Sequence, residues 1–177
     1  MSENELVILD CWASPFCMRV KIALAEKGLD YEARPEDLFG GKSDLLLTSN
    51  PIYKKVPVFL HDGKPLCESS VIVSYIDETW PAPALLPSTP YERSQARFWV
   101  DYIDKKAFGY VDILAIPITC WFLASERFGN LKVEAESPKL SAWIKRCMEK
   151  ETVAKVVPDP EKIYEFVINL RKMFGIA

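Results

Sequence analysis

Histidine is almost absent from this sequence. One residue of 177, His61, is a histidine. The sequence therefore offers few residues for a Ser-His-Asp triad or for a zinc site built on imidazoles. His61 stands directly before Asp62-Gly63, a dipeptide typical of tight hairpin turns. We predict a turn at this position, without a catalytic histidine or a metal site.

Redox-type cysteine pairs are also missing. The chain has five cysteines, an odd number, and no Cys-x-x-Cys motif. This pattern is typical of a reducing compartment. The first ten residues place acidic side chains ahead of a short apolar run and lack the basic segment of a secretory signal. We therefore predict a cytoplasmic protein.

The sequence has neither a basic cluster nor a long apolar run. Lys and Arg together number 22 against 25 Asp and Glu, for a net charge of -3. This balance does not favour a nucleic-acid partner or an anionic membrane surface. The longest nearly apolar stretch, residues 113–124, is too short to cross a bilayer and contains Pro117. It predicts a helix buried in protein, and we expect neither nucleic acid nor membrane as a partner.

Residues 1–79 alternate between strand and helix patterns. A first helix has an apolar face that begins at Phe16, and it ends at Gly28. The predicted strands are 6–10, 31–34, 56–60 and 65–67, and the further helices are 43–48 and 69–79. A βαβ unit followed by ββα predicts a compact α/β domain with a mixed sheet.

The composition changes at residues 80–90, where four of eleven residues are proline. Such a segment cannot be a continuous helix and predicts an extended linker. Only helical patterns follow, over about 91–106, 111–125, 138–150 and 160–174. The sequence thus predicts an α/β domain (1–79), a linker (80–90) and an all-helical domain (91–177).

The segment Ser14-Pro15-Phe16-Cys17 has the form of a redox motif whose first cysteine is replaced by serine. Ser before Pro is also an ordinary helix start and needs no function. Alternatively, the hydroxyl and the free N–H groups of a helix start could stabilise the thiolate of a bound thiol. Lowering a thiol pKa by about two units requires roughly 2.7 kcal/mol. A hydrogen bond to a charged group supplies about 1.5 to 3 kcal/mol and a helix terminus about 0.3 to 1 kcal/mol more, so one serine and one helix end suffice.

A peptide carrying that thiol would need further contacts, and three patterns could supply them. Val56-Pro57 precedes a strand, and a cis or a trans bond is open there; a cis bond would present a backbone edge to an extended peptide. Ser69 is a natural N-cap that could hold a carboxylate, while Glu68 takes an ammonium group. Lys42 and Lys55 could bind another carboxylate, or they could be solvated surface residues.

Several long motifs resemble the plant tau class of glutathione transferases. They include WASPFCMRVKIALAEKGLDYE, NPIYKKVPVFLHDGKPLCESSVIVSYIDE, PYERSQARFWVDYIDKK, FGYVDI and YEFVINLRKMFGI, in order along nearly the whole chain. The resemblance implies a thioredoxin-like domain that binds glutathione as co-substrate, without a further cofactor, and a helical domain that shapes a pocket for a hydrophobic electrophile.

The resemblance also implies roles for individual residues. Ser14 would hydrogen-bond the glutathione sulfur, and the backbone of Val56 would pair with the cysteinyl unit. Lys42 and Lys55 would contact the glycyl carboxylate, and Glu68 with Ser69 would bind the γ-glutamyl end. The residues implied at the electrophile site are Phe16, Leu38, Trp121, Phe166 and Leu170.

One departure from the family pattern stands out. Lys106 is followed at once by Ala107 and FGYVDI, where the family has about two helices' worth of further sequence. The missing segment would supply one wall of the electrophile pocket and part of a homodimer contact. We therefore expect reduced conjugation and a weakened dimer. We also expect Ile113, Ile116, Trp121 and Phe122 to lose packing neighbours.

Two rival functions remain open from the sequence. A protein with a damaged second domain could bind glutathione or an apolar ligand without turnover. A thiol transferase could instead use Cys17, although Ser14 occupies the usual nucleophile position of such a scaffold.

Overall fold

A computed structural model describes residues 5–98 and 108–176. The first part contains a four-stranded sheet of order β2-β1-β3-β4, with β1 and β2 parallel and the other pairs antiparallel. Its elements are β1 (Leu6–Asp10), α1 (Pro15–Glu26), β2 (Glu32–Pro35), α2 (Asp44–Ser49), β3 (Val58–His61), β4 (Lys64–Cys67) and α3 (Ser69–Thr79). The predicted α/β arrangement with a mixed sheet is confirmed.

The sheet is buried on both faces because β1 alternates between two apolar layers. Ile8 packs in the main core cluster together with apolar residues of α1 and α3, while Val7 and Leu9 pack with Leu46 of α2. All five residues of β1 are buried, as a central strand covered on both faces requires. β3 begins two residues later than predicted because Pro57 has no N–H to give to a strand ladder.

The turn predicted in the hairpin and the stop predicted after the first helix both have the expected backbone conformation. Asp62 and Gly63 have φ values of 51° and 76°, as a two-residue turn between antiparallel strands demands. Gly28 has a φ of 65° just beyond α1, where the N–H of Leu29 donates to the carbonyl of Leu24. This is the left-handed helix ending that glycine accepts without strain.

The described residues of the second part form helices and the segments that join them. Its helices are α4 (Pro90–Phe98), α5 (Tyr110–Thr119), α6 (Phe122–Gly129), α7 (Val133–Glu136), α8 (Pro138–Met148), α9 (Glu151–Ala154) and α10 (Pro160–Met173). The predicted helix 91–106 is seen as far as residue 98. Its remainder, with the junction at Lys106 and Ala107, lies outside the described residues. The short helices α7 and α9 have too few turns to give a periodic sequence signal.

The helix predicted over 111–125 is in fact two helices, α5 and α6. Pro117 cannot donate a helical hydrogen bond, and α5 ends two residues after it. The Thr119 hydroxyl donates to the carbonyl of Ile116 at 2.7 Å, and the Cys120 thiol to that of Pro117 at 3.1 Å. Side chains thus satisfy carbonyls that a continuing helix would have used.

Two of the four apolar residues expected to lose neighbours are fully buried. Ile113 and Ile116 have no exposed surface, because α5 packs against α1 and their side chains join the main core. The expectation is wrong for both. Trp121 and Phe122 are half-buried.

The proline-rich segment after α3 is fastened to the α/β part by hydrogen bonds to a carboxylate that belongs to a buried ion pair. The Lys27 ammonium lies 2.6 Å from the Asp77 carboxylate, and Lys27 has no exposed side-chain surface. Asp77 also accepts the N–H groups of Leu85 and Leu86 at 2.8 and 3.0 Å. These contacts satisfy a carboxylate that would otherwise be costly to bury.

Candidate active site

A cleft of about 390 Å³ lies at one edge of the sheet. The register explains which segments meet there: Leu9 at the end of β1 pairs with Val58, and Val58 pairs with Cys67 at the end of β4. The start of α1, the turn before β3 and the start of α3 are therefore brought to the same edge. The cleft is lined by Phe16, Asn50, Tyr53, Lys55, Val56, Pro57, Glu68 and Ser69.

The start of α1 is capped by Ser14. Its Oγ accepts the N–H of Cys17 at 3.3 Å, and its side chain is half-buried. Because the oxygen is the acceptor, the hydroxyl proton stays available for a second partner. Ser14 is not part of the lining of the 390 Å³ cleft, but Phe16, two residues on, is in it and is 49% exposed.

The turn before β3 holds Val56 against the cleft. The Val56–Pro57 bond is cis, and Pro57 is buried while Val56 is half-buried. Asn50 fixes the preceding segment: its amide donates to the carbonyl of Lys55 at 3.0 Å and accepts the N–H of Tyr53 at 3.2 Å. The backbone at Val56 therefore has a defined position along the cleft wall.

The start of α3 differs from the predicted N-cap. Ser69 is the first residue of the helix, and Glu68 occupies the cap position with a φ of 69°. The Ser69 Oγ accepts from the Arg19 guanidinium at 3.2 Å, so it is engaged by a side chain from α1 and caps no N–H of its own helix. Ser69 is 7% exposed, whereas Glu68 is exposed.

The two candidate lysines are placed differently. Lys55 lines the cleft, and its side chain is exposed. Lys42 is also exposed, but it is not among the residues that line this cleft. The structure therefore brings Lys55 together with Val56, Glu68 and Ser69, and leaves the role of Lys42 as a prediction.

The candidate electrophile residues divide between two neighbouring places. Leu38 and Phe166 line a second cleft of about 290 Å³. The Phe166 ring centroid is 6.2 Å from that of Trp121 and 5.5 Å from that of Trp12. Leu170 follows Phe166 by one turn of α10 and is half-buried. Phe16 lies apart from this group, in the first cleft.

Cys17 has the environment of a structural thiol. It has no exposed surface, and its Sγ accepts the N–H of Cys11 at 3.4 Å. Burial raises the pKa of Cys17 to about 12. A thiol of this pKa carries almost no thiolate at neutral pH, which argues against Cys17 as a nucleophile. Across the described ranges, no three His, Cys, Asp or Glu side chains are grouped as metal ligands.

Comparisons with known proteins agree with this geometry. Residues 5–78 match the family model described as "Glutathione S-transferase, N-terminal domain". The probable glutathione S-transferase parC of Nicotiana tabacum is 46% identical over 221 aligned positions, which cover 99% of this chain and 100% of the relative. Glutathione S-transferase 3 of Glycine max is 45% identical, with 96% and 97% covered.

Two solved structures extend the comparison to the fold and the class. Rice GST1, crystallised in complex with glutathione, superposes with a TM-score of 0.90 at 40% identity, covering 99% of this chain and 100% of that one. A tau-class glutathione S-transferase of mango (Mangifera indica) gives a TM-score of 0.84 at 35% identity, with 94% and 98% covered. The chain belongs to the plant tau-class glutathione transferases. Its first domain is thus thioredoxin-like, as the resemblance implied.

This tau-class glutathione transferase is shorter than its relatives. The alignment with the tobacco relative runs over 221 positions, but the chain has 177 residues, so at least 44 of those positions have no residue of this chain. Both chains are nonetheless covered almost from end to end. The difference in length therefore consists of gaps inside the alignment. The sequence suggested such a gap where Lys106 and Ala107 lead directly into FGYVDI.

The sequence reasoning missed residues around the candidate site, among them Asn50, Trp12 and Arg19. Asn50 precedes Pro51, and an Asn-Pro pair is a turn signal that could have marked it. Trp12 lies just before the start of α1 and packs on Phe166, which is far away in the sequence, so no local pattern marks this contact. Arg19 gave no signal at all, because a basic residue in an amphipathic helix is ordinarily solvated.

In the described residues, no helix combines the length and the apolar character needed to cross a membrane.

Proposed function

We propose that this transferase binds glutathione in the 390 Å³ cleft and conjugates its thiolate to hydrophobic electrophiles. The observation that carries the proposal is the convergence of Val56, Glu68 and Ser69 on one cleft beside the start of α1. The rice relative, whose structure was solved with glutathione, supports the same ligand here.

Ser14 would act on the sulfur. Its hydroxyl, already accepting one backbone N–H, donates a hydrogen bond to the thiolate, and the N-terminal N–H groups of α1 add positive potential. Together these terms favour the ionised thiol by about 2 to 4 kcal/mol. Ionisation at neutral pH makes the sulfur a nucleophile, which then forms a C–S bond with the electrophile as its leaving group departs.

The two ends of the tripeptide would be held by separate groups. Glu68 pairs with the γ-glutamyl ammonium, and Ser69 with the N-terminal N–H groups of α3 holds the neighbouring carboxylate. The backbone of Val56 pairs with the cysteinyl unit, and Lys55 with Lys42 attracts the glycyl carboxylate. The contacts at the two ends of the tripeptide hold the sulfur in place, and Ser14 acts on the sulfur itself.

The electrophile would lie against the aromatic side chains beside the second cleft. Phe166, Trp121 and Leu38, with Phe16 and Leu170 at the margins, offer an apolar surface to a hydrophobic molecule. The contribution of this surface is proximity, because an electrophile held close to the thiolate reacts without a bimolecular encounter.

The chain has no residue at 44 or more aligned positions, which favours a second candidate: a non-catalytic protein that binds glutathione or an apolar ligand. We propose reduced activity and a weakened homodimer on this ground. We further propose domain limits of 1–79 and 91–177 about the 80–90 linker, and a cytoplasmic location in keeping with five unpaired cysteines.

The test compares this chain with the tobacco relative under identical conditions. Glutathione binding is measured by calorimetry, and the oligomeric state is measured by sedimentation. The value of kcat/KM is determined with an aryl halide as the electrophile. We expect comparable glutathione affinity, kcat/KM lower by about a hundredfold from loose positioning, and a weaker dimer. Binding without measurable turnover would establish the second candidate. Failure to bind glutathione would refute the proposed conjugation and the glutathione-binding form of the second candidate.

A further inference from the structure

Arg19 joins three elements around the candidate glutathione cleft. From α1, its Nε donates to the carbonyl of Leu114 in α5 at 2.6 Å, and its Nη1 donates to the Oγ of Ser69 in α3 at 3.2 Å. Its Cζ lies 5.0 Å from the ring centre of Phe16, which lines the cleft. One guanidinium therefore touches the second part of the chain and two cleft residues.

Arg19 brings a charged donor to the start of α3. Burial lowers the pKa of its guanidinium below the ordinary value, yet arginine remains charged in proteins. Its two hydrogen bonds go to a carbonyl and a hydroxyl, and in the described ranges no ion pair of Arg19 with a carboxylate is found. The guanidinium thus lies beside the first residue of α3, where the helix dipole is positive as well.

The bond to Ser69 fixes what that hydroxyl can do. A hydroxyl that accepts a hydrogen bond from a guanidinium keeps its own proton for donation, and the bond it receives strengthens the bond it gives. Ser69 is 7% exposed, so few other orientations are open to it. The arrangement prepares Ser69 as a donor to an anion at the start of α3.

We propose that Arg19 is a positioning residue for glutathione, acting through Ser69 on the γ-glutamyl carboxylate. The inference rests on the proposed function, since it assumes that glutathione occupies this cleft. It also gives the helical part of the chain a role in binding the tripeptide. The Leu114 carbonyl holds the guanidinium that orients Ser69.

The rival explanation is that Arg19 only fastens α1 to α5. A double-mutant cycle separates the two roles. The variants are Arg19→Met, which keeps the aliphatic stem, Ser69→Ala, and the two combined. The control is Arg127→Met, because Arg127 also lies over an aromatic ring, 4.3 Å from Tyr164, but on α6.

Glutathione Kd by calorimetry and the split between kcat and KM are the readouts. We expect Arg19→Met to weaken glutathione binding about tenfold and to change kcat at saturating glutathione less than about twofold. Because Arg19 acts through Ser69, the double variant should bind within about twofold of Ser69→Ala alone. Arg127→Met should bind as the unchanged chain does.

Unchanged glutathione affinity in a folded Arg19→Met protein would overturn the inference, as would losses that multiply in the double variant. If Arg19→Met does not fold, Arg19→Lys takes its place, with a smaller loss expected because lysine lacks the planar fork. If neither variant folds, Arg19 is a stability residue and the inference is wrong. Failure of the unchanged chain to bind glutathione would instead refute the proposed function.

Discussion

The starts of α1 and α3 lie at the same edge of the sheet, and each carries a serine. Ser14 stands before its helix and accepts a backbone N–H of that helix, from Cys17. Ser69 stands inside its helix and accepts from Arg19, a side chain fifty residues away in sequence. Two similar helix starts are therefore prepared in different ways, one by its own backbone and one by a tertiary contact.

This difference suggests a division of labour in the proposed reaction. The start of α1 offers a hydroxyl whose hydrogen bond comes from its own helix, which suits a single task on the sulfur. The start of α3 is supported by a half-buried guanidinium and lies in the cleft, which suits the holding of a charged group. Substitutions at the two starts should accordingly change different quantities.

The largest expected effect follows from Ser14→Ala. We expect kcat at pH 7 to fall by about tenfold to a hundredfold, while glutathione affinity stays nearly constant, because the hydroxyl is proposed to contact the sulfur alone. The pKa of the bound thiol should rise, so the rate deficit should narrow as the pH increases. Thiolate absorbance against pH measures the shift.

Ser43→Ala is the matched control for Ser14→Ala, because the Ser43 Oγ caps α2 by accepting the N–H of Leu46 at 3.0 Å. It should reduce stability, as any lost cap does, without moving the thiol titration. A titration unchanged in Ser14→Ala would remove Ser14 from the mechanism.

A smaller effect, on binding, is expected for Glu68→Ala. The ammonium of the γ-glutamyl group would lose its partner, and glutathione Kd should rise by about thirtyfold. This is the low end for a broken charge pair, because Glu68 is exposed. Calorimetric titration provides the measurement, and kcat at saturation should stay within about twofold.

Glu134→Ala serves as a control for Glu68→Ala, since Glu134 is an exposed carboxylate on α7. Its loss should leave glutathione binding as it was. A rise of less than about tenfold in Kd for Glu68→Ala would mean that the ammonium group is bound elsewhere.

The smallest effects on glutathione binding are expected at the two lysines. Comparing the two losses in affinity tests which lysine contacts the bound glutathione. Lys55→Ala should weaken glutathione binding by about fivefold or less, as exposed ion pairs contribute little. Lys42→Ala should change it by less than Lys55→Ala does, because Lys42 is outside the cleft lining. Equal losses in calorimetry would place both lysines on the bound carboxylate.

Much of the first part of the fold could be predicted because its signals are local. The run Leu6–Asp10, the Ser-Pro helix start at Ser14 and the stop at Gly28 are written in adjacent residues, and the structure has each where the pattern places it. The break between α5 and α6 was missed. The apolar pattern continues across Cys120 and Trp121, and the bonds that end α5 become evident only in three dimensions.

The candidate site shows the same limit. The helix-start hydroxyl at Ser14 and the polar pair Glu68-Ser69 could be named from the sequence, because capping preferences and charge are properties of single residues and their neighbours. The contact between Ser69 and Arg19 could not be predicted from the sequence, since it joins two helices. The expected loss of packing neighbours at Ile113 and Ile116 was wrong for a related reason, as their burial depends on α1.

The sequence by itself determined the alternation of strand and helix, the residues able to cap or carry charge, and the family. These follow from propensities and patterns that act over one or two turns of chain. The tertiary structure alone decided which helix starts share a cleft, that Ser69 is engaged by Arg19, and that Phe166 lies between Trp12 and Trp121. Such contacts depend on strand register and helix packing, which bring together side chains that no local pattern relates.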